Sequence, residues 1–251
     1  MMKSLIITVA GMSSRFNRDL SEPVLKCLYY ENNPWCSLLS LQISMSYEHV
    51  DEIIIVGGYK YEDLTAFIAK NIKDSEHKIK TVYNEHYSDY GSGYSLLKGI
   101  EVVSNKTDEI VFIEGDLFFD AESVKEIFDS HKDVISVNNE PILSNKAVAL
   151  YFDANSHPHY IYDTSHSCLE IHEPFTAIYN SGQMWKFMNP AKVRDVCKSL
   201  TPVQEQGTNL EIIQKYFGEF TSSQLDIIRV NLWFNCNTLA DYQEAIKALA
   251  K

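Results

Sequence analysis

Apolar runs and helical stripes alternate along the first half of the chain. Leu5–Ala10 is a largely apolar run that ends abruptly at Gly11, which predicts a buried strand entering a loop. Ser37–Glu48 carries Leu38, Leu41 and Met45 at helical spacing. Asp51–Gly57 holds Ile-Ile-Ile-Val and stops at a Gly-Gly pair, a second buried strand entering a tight turn. Tyr61–Asn71 reads as a helix with Leu64, Phe67 and Ile68 on one face, and Ile79–Tyr83 as a shorter strand. Tyr94–Val103 predicts a helix, Glu109–Glu114 a third strong strand, and Ala121–Ser130 a helix with Val124, Ile127 and Phe128 inward. This βαβαβαβα order is the pattern of a mostly parallel sheet with helices on both faces.

After residue 135 the pattern changes. Val134–Asn138, Ala147–Phe152, Tyr160–Asp163 and Thr176–Asn180 are short strand candidates with no long helices between them. They predict antiparallel additions. Helices are expected at Pro190–Leu200 and Asn209–Tyr216, a last strand at Ile227–Phe234 and a closing helix at Leu239–Ala250. The expected fold is therefore α/β, a Rossmann-like three-layer arrangement with a mixed, mostly parallel sheet. No linker or repeat divides it. We expect one domain over 1–251, with a nucleotide-binding half (1–135), an acceptor-binding half (136–235) and a closing segment (236–251).

Composition narrows the partners. With 22 Lys and Arg against 34 Asp and Glu, the formal charge is -12, which disfavours nucleic-acid polymers and anionic membranes. A nucleotide remains compatible, because a few local cations reverse the field inside one cleft. The absence of a signal peptide, of a long apolar run and of any C-x-x-C pair among the five cysteines predicts a cytoplasmic protein with free thiols.

Candidate chemistry gathers where predicted strands end. Gly11, Ser13 and Ser14 form a small-residue loop, followed by Arg15 and, eleven residues further on, Lys26. Backbone N–H groups in such a loop can cradle phosphate, and the two cations add to its charge. Asp116, after Glu114-Gly115, would sit in a turn at the same sheet edge, where a carboxylate suits Mg²⁺. Taken alone, Asp116 reads equally as a turn or capping residue, Arg15 as a solvated helix-start cation and Lys26 as a surface lysine. Gly91-Ser92-Gly93-Tyr94-Ser95 invites a separate phosphate-loop reading but lacks the Gly-Lys-[Ser/Thr] of a P-loop.

These segments resemble the nucleotidyltransferase family. Val9-Ala10-Gly11-Met12-Ser13-Ser14-Arg15 is similar to its Ala-Ala-Gly-x-Gly-[Ser/Thr]-Arg signature, and Leu25-Lys26-Cys27-Leu28 to its Pro-Lys-Pro-Leu. Glu114-Gly115-Asp116 stands where the family carries its first metal Asp. Trp233 to Tyr242 resembles the closing Trp-x-x-Ile-Asp-Thr-x-x-Asp-[Tyr/Leu], and Asn84 through Ser95-Leu96 the small phosphocholine cytidylyltransferase branch of surface-polymer pathways. The resemblance implies that an NTP, most simply CTP, is joined to a small phosphorylated acceptor with release of pyrophosphate. It implies Ala10, Gly11, Met12 and Ser13 on the triphosphate, Arg15 and Lys26 as catalytic cations, and Asn84, Ser92 and Ser95 near base and ribose. Mg²⁺ would be held by Asp116 and Asn237. A UTP- or dTTP-dependent sugar-1-phosphate nucleotidyltransferase, and a nucleotide-binding protein without turnover, stay open, as does a homodimer.

Two departures bear on the chemistry. Ser13 replaces the second signature glycine, and Asn237 replaces the closing metal Asp with a neutral amide. Asp241 is the nearest alternative carboxylate, expected on the closing helix as a cap or facing outward. His157, His159, His166 and His172 fall within sixteen residues, a weak pattern for zinc. Acidic and aromatic residues of this excursion, Asp163, His166 and Glu173 together with Trp185, are expected to line the acceptor pocket. They would favour a cationic acceptor such as phosphocholine, phosphoethanolamine or an aminophosphonate.

Overall fold

The computed structural model describes residues 1–143, 148–162 and 168–249. The elements follow in order: β1 (Lys3–Thr8), α1 (Leu38–Ser46), β2 (Glu52–Gly57), α2 (Tyr61–Asn71), β3 (Ile79–Tyr83), α3 (Ser92–Val102), β4 (Glu109–Glu114), β5 (Leu117–Phe119), α4 (Ala121–Asp129), β6 (Asp133–Asn138), β7 (Ala149–Asp153), β8 (Pro158–Ile161), β9 (Phe175–Phe187), α5 (Pro190–Lys198), α6 (Pro202–Glu205), α7 (Leu210–Phe217), β10 (Leu225–Val230), β11 (Trp233–Asn235) and α8 (Leu239–Leu249). The main sheet runs β10-β6-β9-β4-β1-β2-β3. β1 lies parallel to β2 and β4, β2 to β3, and β10 to β6. β9 enters antiparallel between β4 and β6, and β7 and β8 extend from it. The expected α/β class, a mostly parallel sheet with antiparallel additions, is the one found.

The central strands are apolar because both faces are covered. On one face Leu5 and Ile7 of β1 pack among Leu39, Ile43, Leu64 and Phe128 of α1, α2 and α4. On the other, Ile6 and Phe112 pack with Leu96 and Ile100 of α3, Val193 of α5 and Ile213 of α7. A third cluster joins Phe16, Phe118, Cys236 and Tyr242, tying the loop after β1 to the end of the chain. The parallel strands β1 to β4 all end at one edge, so their terminal loops meet there. No helix among the described residues is long and apolar enough to cross a membrane.

Two expectations from sequence are corrected. The strand expected at Thr176–Asn180 runs on to Phe187. Ser181-Gly182-Gln183 looks like a turn but is a bulge: the register shifts opposite Ile135 and Val137, and Gln183 takes a φ of 56°. A Cβ on Gly182 would lie 2.5 Å from Ser136 Oγ, so only glycine permits this approach. The strand expected at Ile227–Phe234 is two strands. At the break, the Asn231 N–H donates to Ser123 Oγ (3.3 Å) and the Leu232 N–H to Asp120 Oδ2 (3.0 Å), which draws the chain off the main sheet. β11 then pairs antiparallel with β5, a strand absent from the sequence reading.

Asp120 therefore holds both a helix and the closing ribbon. Its carboxylate also accepts from the Ser123 N–H (2.8 Å) at the start of α4. Burial pushes its pKa up, but the Leu232 and Ser123 donors outweigh that, and the folded-state value lies below the ordinary 3.8. Its stabilisation is thus full above the unfolded-state value and fades as pH falls through the folded one. Asp120→Ala is expected to cost about 1–2 kcal/mol at neutral pH. Urea denaturation should show this deficit shrinking in acid; a deficit unchanged at low pH would contradict the assignment.

Candidate active site

The loop after β1 is anchored by Phe16, which is fully buried and packs edge-on against Tyr29 at 5.3 Å. Ser13 takes the left-handed conformation, with φ 56°. The glycine geometry is thus kept by a serine, at a cost of about 1–2 kcal/mol. In exchange its hydroxyl accepts the Lys26 N–H at 3.0 Å, fastening the loop to the segment that carries Lys26. Gly11 has an ordinary φ, and a Cβ there would meet nothing within 4 Å. The protein itself does not need glycine at this position; a ligand lying on the loop would. Gly11→Ala is expected to leave the melting temperature unchanged but to weaken nucleotide binding about tenfold, read by calorimetry. Unchanged binding would place the triphosphate elsewhere.

One corner collects residues from both ends of the chain. Lys26 Nζ donates to Asp116 Oδ2 at 2.7 Å and to Asn237 Oδ1 at 3.3 Å. Arg15 Nη2 donates to the same Asn237 oxygen at 2.9 Å. The backbone explains the convergence. A Cβ on Gly115 would lie 2.2 Å from Val9 Cγ1, so glycine lets the β4 turn close against β1. The β5–β11 ribbon then carries Asn237 to Asp116, and the Cys236 N–H donates to the Asp116 carbonyl at 2.8 Å. Asp241 stays out of the corner, because its Oδ2 accepts from the Thr238 N–H (2.8 Å) and hydroxyl (2.7 Å) as a helix cap.

The donor set at this corner fits a hard divalent cation completed by phosphate oxygens. Asp116 Oδ1 is buried and bonds to nothing among the described residues. Such an oxygen is costly unless a cation or donor meets it. Among the described residues no three His, Cys, Asp or Glu side chains converge well enough to hold a metal unaided. One carboxylate and one amide would suffice for Mg²⁺, which usually draws its other ligands from water and substrate.

A cavity of about 220 Å³ adjoins this corner. It is lined by Ala10, Gly11, Ser13, Lys26, Asn84, Ser92, Ser95 and Asp116 of the expected residues. Met12 and Arg15 are exposed beside it rather than in its wall. Asn84 is engaged at both ends: its Nδ2 donates to Ser95 Oγ (2.8 Å) and its Oδ1 accepts the His86 N–H (2.8 Å). Of the Gly91-to-Ser95 loop, the Gly91 and Gly93 N–H groups donate to the carbonyls of Gln206 (2.9 Å) and Gly207 (3.1 Å), so they are not free for phosphate.

Four residues of this cavity or its support were missed from sequence. Tyr87 and Tyr90 give it aromatic walls. Glu114, the last residue of β4, also lines it, and its Oε1 accepts from Asn209 Nδ2 at 2.5 Å. Asn209 stands at the start of α7, but its side chain makes no cap bond and reaches Glu114 instead. Burial, and then the neighbouring Asp116 charge, push the Glu114 pKa up. A lone carboxylate closing an apolar strand was a visible signal for Glu114. The Asn209 contact spans 95 positions and left none.

The expected acceptor residues fare differently. Trp185 is 0% exposed, stacked on Phe112 at 5.3 Å with its N–H donated to Tyr160 Oη, so it belongs to the core and lines no pocket. Its burial follows from β9 running through the sheet rather than stopping short of it. Glu173 is exposed and accepts the Tyr151 hydroxyl at 2.6 Å; it lines neither this cavity nor the groove beside it. Asp163 and His166 lie outside the described residues. His157 and His159 both turn to Asp153, at 3.5 and 3.3 Å, and His172 to Glu170. A larger groove of about 530 Å³ lies on the other side of the corner, and its wall includes Arg15, Asn237, Glu140, Asn180 and Trp233.

The sequence family described as a domain of unknown function (DUF6564) matches residues 22–249. No curated protein matches the chain. Solved structures do. The inositol-1-phosphate CTP transferase from T. maritima superposes with a TM-score of 0.70 at 17% identity, over 98% of this chain and 96% of that one. The CTP:phosphocholine cytidylyltransferase from Streptococcus pneumoniae gives 0.62 at 19% identity, covering 100% of both chains. A UDP-glucose pyrophosphorylase complexed with UDP-glucose gives 0.71 at 12% identity, over 100% of this chain and 99% of that one. The chain has the nucleotidyltransferase fold.

Proposed function

The chain belongs to the family described as a domain of unknown function (DUF6564), and we propose that it is a nucleotidyltransferase joining CTP to a small phosphorylated acceptor. The observation that carries this reading is the corner itself: Lys26, Arg15, Asp116 and Asn237 meet between two concavities, one beside the loop after β1 and one beyond it. CTP is favoured because two of the similar structures are of CTP-dependent enzymes by their descriptions.

In the proposed reaction an oxygen of the acceptor phosphate attacks the α-phosphorus. The new P–O bond forms as the bond from the α-phosphorus to the bridging oxygen of the β-phosphate breaks, and pyrophosphate leaves with that electron pair. No covalent intermediate with the protein is needed, so catalysis rests on positioning and charge. Backbone N–H groups at Gly11 to Ser13 face the triphosphate, Lys26 brings attacking and α-phosphates together against their repulsion, and Arg15 balances the leaving pyrophosphate. Asp116 and Asn237 would hold Mg²⁺, which when bound supplies further neutralisation of the phosphate charge.

Pyrophosphate release measured with each of four NTPs against a panel of phosphorylated acceptors tests this. Release with CTP that depends on acceptor is expected. Release with UTP or dTTP and a sugar 1-phosphate would replace the assignment of both substrates. A second reading, a nucleotide-binding protein without turnover, is favoured by the neutral Asn237 and by the ammonium already seated on Asp116. Tight NTP binding with no release for any acceptor would establish it.

A further inference from the structure

The groove beyond Arg15 and Asn237 has a one-sided chemistry. Apart from Arg15 at its junction with the corner, its ionisable side chains are all acids: Glu140, Asp241 and Glu244. Several of its donors are committed within the protein. Asn180 Nδ2 donates to the carbonyls of Glu140 (3.4 Å) and Pro141 (3.3 Å), Trp233 Nε1 to the Gly182 carbonyl (2.9 Å), and the Thr238 hydroxyl to Asp241 (2.7 Å). Trp233 therefore offers only its aromatic surface. Among the described residues two wall acceptors are left without a donor: Asn180 Oδ1 and Asn235 Oδ1, both buried. Asn180 is only 4% exposed, yet no donor among the described residues meets its oxygen.

A buried amide oxygen with no donor is unfavourable, and a ligand that supplies an N–H or O–H relieves it. The bonds holding Asn180 Nδ2 are long, so its oxygen can turn toward a ligand without losing a strong interaction. Carboxylates and an indole face together attract a cation. A trimethylammonium group would satisfy the charge but bring no hydrogen-bond donor. A neutral hydroxyl would bring a donor but no charge. Of these three heads, the primary ammonium alone answers both.

Resting on the nucleotidyltransferase reading, we infer that this groove seats the head of the acceptor and selects a primary ammonium group, joined by a short alkyl chain to a phosphate or phosphonate held at Arg15 and Lys26. The acceptor is then an aminoalkyl phosphate or phosphonate, and Glu140, Asn180 and Asn235 are its specificity residues. Of these three, Glu140 and Asn180 carry no signal in the sequence, while Asn235 falls within the closing motif.

The test compares 2-aminoethyl phosphate, its trimethylammonium counterpart and 2-hydroxyethyl phosphate as acceptors in CTP-dependent pyrophosphate release. We expect kcat/KM for the primary amine to exceed each of the others by at least about tenfold. Glu140→Gln and Asn180→Ala should each flatten that preference, mainly through KM, while the dissociation constant for CTP reports that the fold is intact. Asn180→Asp, which keeps the shape and adds charge, should sharpen it. Equal or better use of the trimethylammonium or hydroxyl compound overturns the inference. If no acceptor supports release, the transfer reading fails. Calorimetric binding of the same three compounds to CTP-loaded protein then decides the groove on its own: the same order sustains it, and no order refutes it.

Discussion

Lys26→Ala is expected to lower turnover by about 10²–10³-fold and, in the same protein, to raise the affinity of the nucleotide-free form for Mn²⁺. The second effect follows from where the ammonium sits. At 2.7 Å from Asp116 Oδ2 and 3.3 Å from Asn237 Oδ1, Lys26 Nζ occupies the position a divalent cation would share with these oxygens. A metal bound to these same two oxygens would compete with the ammonium for them, so loading there would displace the lysine. Nucleotide phosphate is the natural destination for it, because an ammonium leaving one anion needs another. Metal binding should therefore be weak without nucleotide and strong with it. Removing the lysine should uncouple the two, at a stability cost of about 1 kcal/mol for the lost, partly exposed ion pair. Mn²⁺ titration followed by electron paramagnetic resonance, with and without CTP, reads the coupling. Full activity in Lys26→Ala, or unchanged Mn²⁺ affinity, would remove Lys26 from the corner's chemistry.

Asn237→Asp is expected to tighten Mn²⁺ binding to the nucleotide-loaded protein by about tenfold, because a carboxylate replaces a neutral amide beside Asp116. In the nucleotide-free protein the gain should be smaller. There the new carboxylate would also strengthen its contacts with Arg15 (2.9 Å) and Lys26 (3.3 Å), which compete with metal. The contrast between the two states is the informative part of the experiment. Equal tightening in both would mean that Lys26 does not guard the position. No tightening in either would mean that Asn237 does not face the metal at all.

What the sequence reveals depends on how locally each feature is determined. The strands around β1, β2 and β4 were legible because burial on both faces leaves unbroken apolar runs. α2 appears with the bounds its apolar spacing predicts, Tyr61–Asn71. β9 runs past Asn180 through Ser-Gly-Gln, residues common in turns, because Gly182 there lets two strands approach. β5 and β11 are three residues each, too short for any periodic signal, and they exist by pairing across more than a hundred positions. At the site, Gly11, Lys26 and Asp116 stand out as small or charged residues at strand ends. Glu140 and Asn180 do not, since only the folded chain brings them to the groove and leaves the Asn180 oxygen without a donor among the described residues. Ser13 looked like a departure that could disturb the loop. Its left-handed backbone and its bond to the Lys26 N–H show a different solution to the same geometry.

The contact between Arg15 and Asn237 closes a loop of 222 positions. During synthesis the loop after β1 and Lys26 would emerge 211 positions ahead of Asn237 and wait, with the parallel core forming behind them, until that residue had been made. A nascent chain could present the nucleotide loop long before it could present the corner. Contacts of such separation are also the slowest to form when a chain refolds, because the entropy of closing the loop is lost before the contact is gained. In the proposed enzyme the capacity to bind a nucleotide and the capacity to react it would therefore be separated in time as well as in space, the second arriving only with the β5–β11 ribbon.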